Sequence, residues 1–306
     1  MSYILITPVK DEEKNLPLLV NCIINQTILP SMWVILNDNS TDKTQIIINK
    51  LENTYPWIKG VTIKEATNRD LDEHFGKICN LAIEEAIRHC EKTKLKISYL
   101  VKVDADIILP YNCIEENLIR LDRDNELGIA SPYIQDLPNK PLDQEKLFST
   151  NNSKKNYSRF DMLEPSDGLR FYRYATFNDI GGIPETMAPD VVALVKAKLR
   201  GWKVERFNEL ICYKTRKTSS SIRSIFQGYF MQGERRYYLN YPPSIIIFLS
   251  LLEFLEGHPN LGNAIFLGFF KSFINKKEKI NDNEVRDYYH KKRPKEILNI
   301  LLRGTK

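Results

Sequence analysis

The sequence predicts an α/β fold in which a mostly parallel sheet is covered by helices on both faces. Over the first two hundred residues, short apolar runs alternate with segments that have helical hydrophobic spacing. Several of the apolar runs are followed at once by acidic or other polar clusters. Parallel sheets of this kind bind ligands beyond the carboxyl ends of their strands. The polar clusters therefore mark one candidate binding rim.

Each element follows from its own residue pattern. The strand candidates are apolar and rich in branched residues, and the run 97–103 ends directly at Asp104. The helix candidates carry apolar residues three and four positions apart, and Gly201 ends the last of them. The predicted strands are 3–8, 32–36, 61–65, 97–103, 170–174 and 203–207, and the predicted helices are 15–26, 41–53, 78–90 and 190–199.

Length and composition favour a globular protein. The 306 residues include 42% hydrophobic and 27% charged residues, which speaks against a disordered or fibrous chain. The five cysteines are widely spaced and form no CxxC pair, so neither a disulfide framework nor a zinc site is indicated. The N-terminus lacks the basic start and the long apolar stretch of a signal peptide. We therefore expect a reducing, cytoplasmic location.

The C-terminal third differs in charge and pattern from the rest. Residues 190–306 hold 22 Lys and Arg against 11 Asp and Glu, whereas residues 1–189 hold 22 against 28. Two apolar stretches, 244–252 and 261–270, are shorter than the ~20 residues that a transmembrane helix needs. Their basic and aromatic surroundings suit helices that lie in a membrane interface. The alternative is that both are core helices of a C-terminal cap.

The triplet Asp104-Ala105-Asp106 is the most informative local feature. Two carboxylates this close at a strand end repel each other unless a hard cation lies between them. Mg²⁺ or Mn²⁺, bound together with substrate phosphates, meets that need. Taken alone the triplet is a weak signal, because surface turns also use Asp freely.

The order of short motifs along the chain is far more specific than any one of them. The pieces are P-V-K-D-E at Pro8–Glu12, N-D-N-S-T-D-K-T at Asn37–Thr44, G-K-I-C-N at Gly76–Asn80, D-A-D at 104–106, G-G at 181–182 and P-D at 189–190. In this order they resemble family 2 glycosyltransferases of the GT-A fold, over about two-thirds of the chain. The resemblance implies an inverting transfer of one sugar from a nucleoside-diphosphate sugar, with a UDP-sugar favoured, to an acceptor hydroxyl or phosphate.

The resemblance also implies roles for individual residues. Asp38 pairs with the base, and a carboxylate that accepts from a ring N–H favours uracil, although Asn37 stands where the family often has Asp. Asp106 is the direct ligand of Mn²⁺ or Mg²⁺, and Asp104 contacts ribose or metal. The residues assigned to the nucleotide sugar are Pro8, Asp11, Glu12, Asp38, Lys77, Asp104, Ala105, Gln232 and Arg235.

Asp190 is the candidate catalytic base. An inverting transfer needs one carboxylate to take the proton of the acceptor hydroxyl as its oxygen attacks the anomeric carbon. The family usually has Glu-Asp at this place, whereas this chain has Pro189 before the Asp, and the structural alternative is an ordinary helix N-cap. The basic residues Lys214, Arg216 and Lys217 are candidates for closing over the diphosphate.

The stretch that begins at Gln232 partly matches the Q-x-x-R-W motif of processive family members. If the match holds, Gln232 and Arg235 approach the acceptor and the diphosphate. Arg236 replaces the Trp, which argues against polymerisation. We therefore predict a nucleotide-sugar-binding catalytic domain at 1–218 and a helical region at 219–306, peripheral on the cytoplasmic face of the membrane.

The partners that follow are a nucleoside-diphosphate sugar, a lipid-linked or glycan acceptor and a membrane surface, without nucleic acid. Two alternatives stay open. A nucleotidyltransferase of the same fold would carry a Gly-rich first loop, which P-V-K-D-E is not. A non-catalytic membrane-surface protein on a degenerate scaffold would bind no nucleoside diphosphate with Mn²⁺.

Overall fold

The computed structural model describes residues 1–63, 71–137, 164–216 and 225–303. Two compact units divide the chain: Met1–Glu185 with Pro189–Lys217, and Thr186–Ala188 with Thr218–Lys306. The separate roles assigned to the two predicted domains stay a prediction. Lys217 and most of the polar stretch between residues 135 and 167 lie outside the described residues.

The first unit is built on one eight-stranded sheet with the order β3-β2-β1-β4-β7-β6-β8-β5. Its strands are β1 (Tyr3–Val9), β2 (Met32–Asp38), β3 (Ile58–Ile63), β4 (Tyr99–Val103), β5 (Ile107–Ile108), β6 (Leu127–Asp136), β7 (Leu169–Arg173) and β8 (Lys203–Lys214). β1 pairs in parallel with both β2 and β4, whereas β7 runs antiparallel between β4 and β6. The described strands thus form a mixed sheet, and the predicted α/β class is confirmed.

Helices cover both faces of this sheet. The strand β1 shows why, since Tyr3 and Leu5 lie in one apolar cluster and Ile4 and Ile6 in the other. Side chains alternate between the two faces of a strand, so a strand buried on both faces is apolar at nearly every position. The helices are α1 (Leu16–Ile24), α2 (Thr44–Thr54), α3 (Leu71–Lys92), α4 (Cys113–Arg123), α5 (Tyr174–Asp179) and α6 (Pro189–Leu199).

The second unit is helical. Gly233 on its first helix lies so close to the backbone of Ile265 that an added Cβ would collide with it, and Gly268 is likewise packed against Phe230. No helix in the described part of the chain has both the length and the apolar character needed to cross a membrane. The elements are α7 (Ile225–Tyr238), α8 (Pro243–Leu255), α9 (Pro259–Ile274), α10 (Asn283–Asp287), a π-helical turn (Tyr288–Lys292) and α11 (Arg293–Arg303).

The structure differs most clearly from the prediction at two boundaries and in one region. The sequence predicts a helix only from residue 78, whereas α3 begins at Leu71. Gly76 is a weak helix former, and it is tolerated in this helix because it packs closely against the backbone of Pro184. β8 continues to Lys214, although Asn208 and Glu209, two residue types that are uncommon in strands, interrupt its apolar pattern. No element was predicted over residues 113–136, where α4 and β6 lie.

Candidate functional site

The carboxyl ends of β1, β2 and β4 meet at one edge of the sheet. Their registers pair Val9 with Asn37 and Ile6 with Lys102. The loop after β1, the residue Asp38 at the end of β2 and the triplet after β4 therefore lie at the same rim. The structure brings together the acidic residues that the sequence placed at three distant points of the chain.

The loop after β1 is hydrogen-bonded to the loop after β2. Asp11 has φ 55°, and its Oδ1 accepts from the Thr41 amide at 2.7 Å and the Thr41 hydroxyl at 3.1 Å. The amides of Asp11 and Glu12 donate in turn to Ser40 Oγ at 2.9 Å and Thr44 Oγ1 at 2.8 Å. These four hydrogen bonds join the two loops to each other beside Asp38.

Asp38 is buried and lies between two basic side chains. Lys10 Nζ is 3.3 Å from Oδ2, and His74 Nε2 is 3.0 Å from Oδ1. Burial alone would raise the pKa of this carboxyl, but the hydrogen bonds from His74 and Lys10 lower it below its ordinary value. Asp38 is therefore an ionised hydrogen-bond acceptor. His74 was missed by the sequence reasoning, because it lies in the part of α3 that carried no clear helical signal.

Asp106 is buried beside the end of β8. Its Oδ2 is 3.4 Å from Arg216 Nε and 3.7 Å from Lys214 Nζ, and Arg216 also forms an ion pair with Glu12. Burial raises the pKa of Asp106, Lys214 opposes that shift and Asp104 adds to it. The structure therefore brings two of the predicted basic residues to the predicted metal ligand.

The end of β8 is also tied to the rim through the backbone. The amide of Thr215 donates to the carbonyl of Asp106 at 2.9 Å. Its hydroxyl donates to Asn15 Oδ1 at 2.8 Å. These two hydrogen bonds hold the end of β8 at the rim.

The donor chemistry of the triplet fits a hard divalent cation. Within the described ranges, no group of three or more His, Cys, Asp or Glu side chains forms a complete metal cage. Asp104 and Asp106 supply carboxylate oxygens, and Mg²⁺ is commonly held by one or two carboxylates with the remaining ligands from phosphate and water. The two carboxylates are thus suited to a cation that arrives with a diphosphate.

Asp190 is the second residue of α6, inside the first helical turn rather than before it. Its backbone carbonyl accepts a hydrogen bond of 2.9 Å from Arg170 Nη1 on β7. Arg170 is almost completely buried, as is Lys102 on β4, and sequence reasoning gave neither a role. A lysine within the apolar run 97–103 was the available signal, since a buried cation needs a partner.

The other predicted site residues are spread over both units. Pro8 is half-buried near the end of β1, and Ala105 is buried within the triplet. Lys77 is exposed in the second turn of α3, not at its start. Gln232 and Arg235 lie on α7 of the second unit, and their approach to a substrate stays a prediction.

Comparison with known proteins identifies the fold and the family. The S. aureus TarS 1-349 structure in complex with UDP-GlcNAc is 20% identical with a TM-score of 0.52, over 76% of this chain and 65% of that chain. A mannosyltransferase, PcManGT from Pyrobaculum calidifontis, in complex with GDP-Man and Mn²⁺, is 12% identical with a TM-score of 0.54, over 98% and 86%.

Another S. aureus TarS structure is 20% identical with a TM-score of 0.51, over 89% of this chain and 44% of that one, so the chain spans less than half of its length. At such identities the likeness shows a GT-A-type fold. A search among curated proteins gave no match. The family model for Glycosyl transferase family 2 matches residues 4–181, which is more than half of the chain. The chain therefore belongs to glycosyl transferase family 2.

Proposed function

We propose that the protein transfers one sugar, with inversion, from a nucleoside-diphosphate sugar to a hydroxyl of a lipid-linked or glycan acceptor. The observation that carries this proposal is the convergence of Asp38, Asp104 and Asp106 at the carboxyl ends of neighbouring parallel strands. Ligands of open α/β sheets bind at such an edge.

The base is recognised by Asp38. An ionised carboxylate accepts a hydrogen bond from a ring N–H, which both uracil and guanine possess. The similar structures include TarS solved with UDP-GlcNAc and a mannosyltransferase solved with GDP-Man. We propose a uridine diphosphate sugar as the donor. A guanosine diphosphate sugar is the alternative, and the experiment below tests both.

The diphosphate lies beside the triplet in this proposal. Asp106, with Asp104, would hold Mn²⁺ or Mg²⁺, which would supply charge that stabilises the departing diphosphate. The mannosyltransferase was solved with Mn²⁺, which supports a divalent cation. Lys214 and Arg216 add positive charge at the same point, since both lie within 4 Å of Asp106.

Asp190 is the base in this mechanism. The acceptor oxygen forms a bond to the anomeric carbon while the bond from that carbon to the diphosphate oxygen breaks. The acceptor proton passes to the carboxylate of Asp190. Attack opposite the leaving group inverts the configuration, so a single carboxylate suffices.

The experiment incubates wild type, Asp106→Ala and Asp190→Asn with a panel of uridine and guanosine diphosphate sugars, Mn²⁺ or Mg²⁺ and a membrane lipid extract. We expect nucleoside diphosphate release from one donor, with a loss of at least about 100-fold in both variants. Asp287→Ala, a surface carboxylate in the second unit, is the matched control. No release from any donor by the wild type contradicts the proposal.

Lipid binding without any binding of a nucleoside diphosphate and Mn²⁺ would favour the non-catalytic alternative. Release of pyrophosphate from a nucleoside triphosphate and a sugar phosphate, added in a parallel incubation, would identify a nucleotidyltransferase. The two alternatives are therefore distinguished from each other and from the proposal.

A peripheral position on an anionic membrane is the second part of the proposal. Two helices of the second unit expose apolar side chains along one face each, and Leu255 and Ile274 are 79% and 74% exposed. The exposed apolar residues are Ile247, Leu251, Phe254 and Leu255 on α8, and Phe266, Leu267, Phe273 and Ile274 on α9. Exposed lysines at positions 271, 276 and 277 accompany them, which suits anionic headgroups.

Vesicle sedimentation tests this part. We expect binding to phosphatidylglycerol-containing vesicles that falls several-fold in a Leu255→Ser, Ile274→Ser double variant. Ile46→Ser, which removes an equally exposed isoleucine from α2, is the control and should bind as the wild type does. Equal binding by the double variant, or no binding by the wild type, contradicts the membrane proposal.

A further inference from the structure

Two cations are buried opposite each other in the sheet beneath the rim. Lys102 on β4 and Arg170 on β7 are direct partners in the antiparallel register. Each is about 1% exposed. A charge removed from water in this way is tolerated only when its partners are close and well oriented.

Lys102 is held by two carboxylates. Its Nζ is 2.7 Å from Asp104 Oδ1 and 3.0 Å from Asp167 Oδ2, and it donates to the Asp167 carbonyl at 2.9 Å. The ring of Phe75 covers the ammonium at 4.7 Å. Lys102 therefore fixes the carboxylate of Asp104 to Asp167.

Arg170 binds mainly backbone carbonyls. Nη1 donates to Asp190 at 2.9 Å, Nη2 to Pro165 at 3.0 Å and Nε to Ser166 at 3.3 Å. Asp167 Oδ1 lies 3.7 Å from Nη1. Arg170 therefore joins the first turn of α6 to the segment that precedes β7.

Asp167 connects the two cations. Burial alone would raise the pKa of its carboxyl, but Lys102 and Arg170 lower it below its ordinary value. The contacts form one continuous series: Asp104, Lys102, Asp167, Arg170 and the backbone of Asp190. Its two ends are the carboxylate predicted to touch ribose or metal and the residue predicted to be the base.

We infer that Arg170 is a positioning residue for the transfer, which holds the first turn of α6 so that Asp190 faces the reacting centre at a fixed distance from Asp104. This inference rests on the proposed function. A misplacement of about 1 Å in such a group can cost about 100-fold in rate. The guanidinium does this with three donors in a rigid fork, which a lysine cannot reproduce.

The test compares Arg170→Lys with Arg173→Lys. Arg173 lies on the same strand and also binds carbonyls, donating to Leu127 at 3.1 Å and Asp124 at 3.1 Å and also to Leu121. Its partners lie at the end of α4 and the start of β6, and none of them is on α6. The two variants thus remove the same type of backbone contact from one strand.

For each variant we would measure kcat, the KM for donor, the affinity for nucleoside diphosphate with Mn²⁺ and the thermal midpoint. We expect Arg170→Lys to lose at least tenfold in kcat while donor KM and nucleotide affinity stay within about threefold. Arg173→Lys should lower the thermal midpoint to a similar extent and keep kcat within twofold. A purely structural Arg170 would make the two variants alike, which overturns the inference.

Asp190→Asn separates this failure from failure of the proposed function. If Asp190→Asn keeps its activity, the proposed base is wrong whatever Arg170 does. If Asp190→Asn is inactive but Arg170→Lys behaves like Arg173→Lys, only the inference falls. If Arg170→Lys does not fold, Asp167→Asn is the second variant, because it keeps the guanidinium and removes the negative charge beside it. A threefold or greater loss in kcat at constant nucleotide affinity supports the inference. An unchanged kcat overturns it.

Discussion

Two groups of ion pairs in the first unit differ in the exposure of their cations and in the partners that these cations can accept. We call the group around Lys102 and Arg170 the inner series and the group around Asp106 the outer cluster. In the inner series, Lys102 and Arg170 are each about 1% exposed, and protein groups satisfy their charges. In the outer cluster around Asp106, the side chain of Arg216 is 43% exposed and contacts two carboxylates. Buried charges need permanent partners, whereas a half-exposed cation can exchange a carboxylate for a ligand. The comparison assigns rigidity to one cluster and ligand exchange to the other.

The largest expected effect tests the permanence of the inner series. Lys102→Met removes the buried cation that Asp104 and Asp167 share, and we expect a loss of about 3–5 kcal/mol in the free energy of unfolding. Denaturant titration measures it.

Lys203→Met is the matched control for this substitution. Lys203 also pairs with two carboxylates, at 3.1 Å and 2.7 Å, but at the surface. Its substitution should leave the free energy of unfolding nearly unchanged. Equal losses in the two variants would erase the distinction between the inner and outer pairs.

A smaller effect tests whether a metal ion can take the place of Arg216 beside Asp106. Arg216→Gln removes a positive charge that lies against Asp106, so Mn²⁺ alone should bind more tightly, by about tenfold or ~1.4 kcal/mol. Titration followed by the electron paramagnetic resonance signal of free Mn²⁺ measures this. Arg120→Gln, which removes an arginine paired with Glu209, should leave the affinity as it is. Weaker Mn²⁺ binding by Arg216→Gln would show that the arginine supports the cation site rather than competing for it.

The smallest effect concerns Asp38. The pKa of Asp38 is lowered in the folded protein. Its ionised form therefore contributes fully to stability at pH values above the ordinary Asp pKa of about 3.9. This contribution is lost as the pH falls through the lower pKa that Asp38 has in the folded protein. The difference in thermal midpoint between wild type and Asp38→Asn should therefore shrink as the pH falls from about 5 to about 3. A difference that does not change between pH 7 and pH 3 would contradict the ionised state of Asp38.

Much of the rim could be predicted because its signals are local. An apolar strand followed by Asp38 or by Asp104 and Asp106 is visible in a few residues, and the ends of parallel strands must share an edge. The buried or distant cations that partner Asp38 and Asp104 could not be located in the same way. Lys102 and Arg170 are 68 positions apart, and His74 reaches Asp38 across 36.

Sequence pattern by itself determined the α/β class, the alternation of β1, α1 and β2, and the family to which the chain belongs. Those features depend on hydrophobic periodicity and on motif order, which are properties of neighbouring residues. The tertiary structure alone decided that β7 runs antiparallel beside β4, and so placed Arg170 opposite Lys102. Which buried charges meet depends on strand order and register, and these are set by packing of the whole sheet rather than by any local segment.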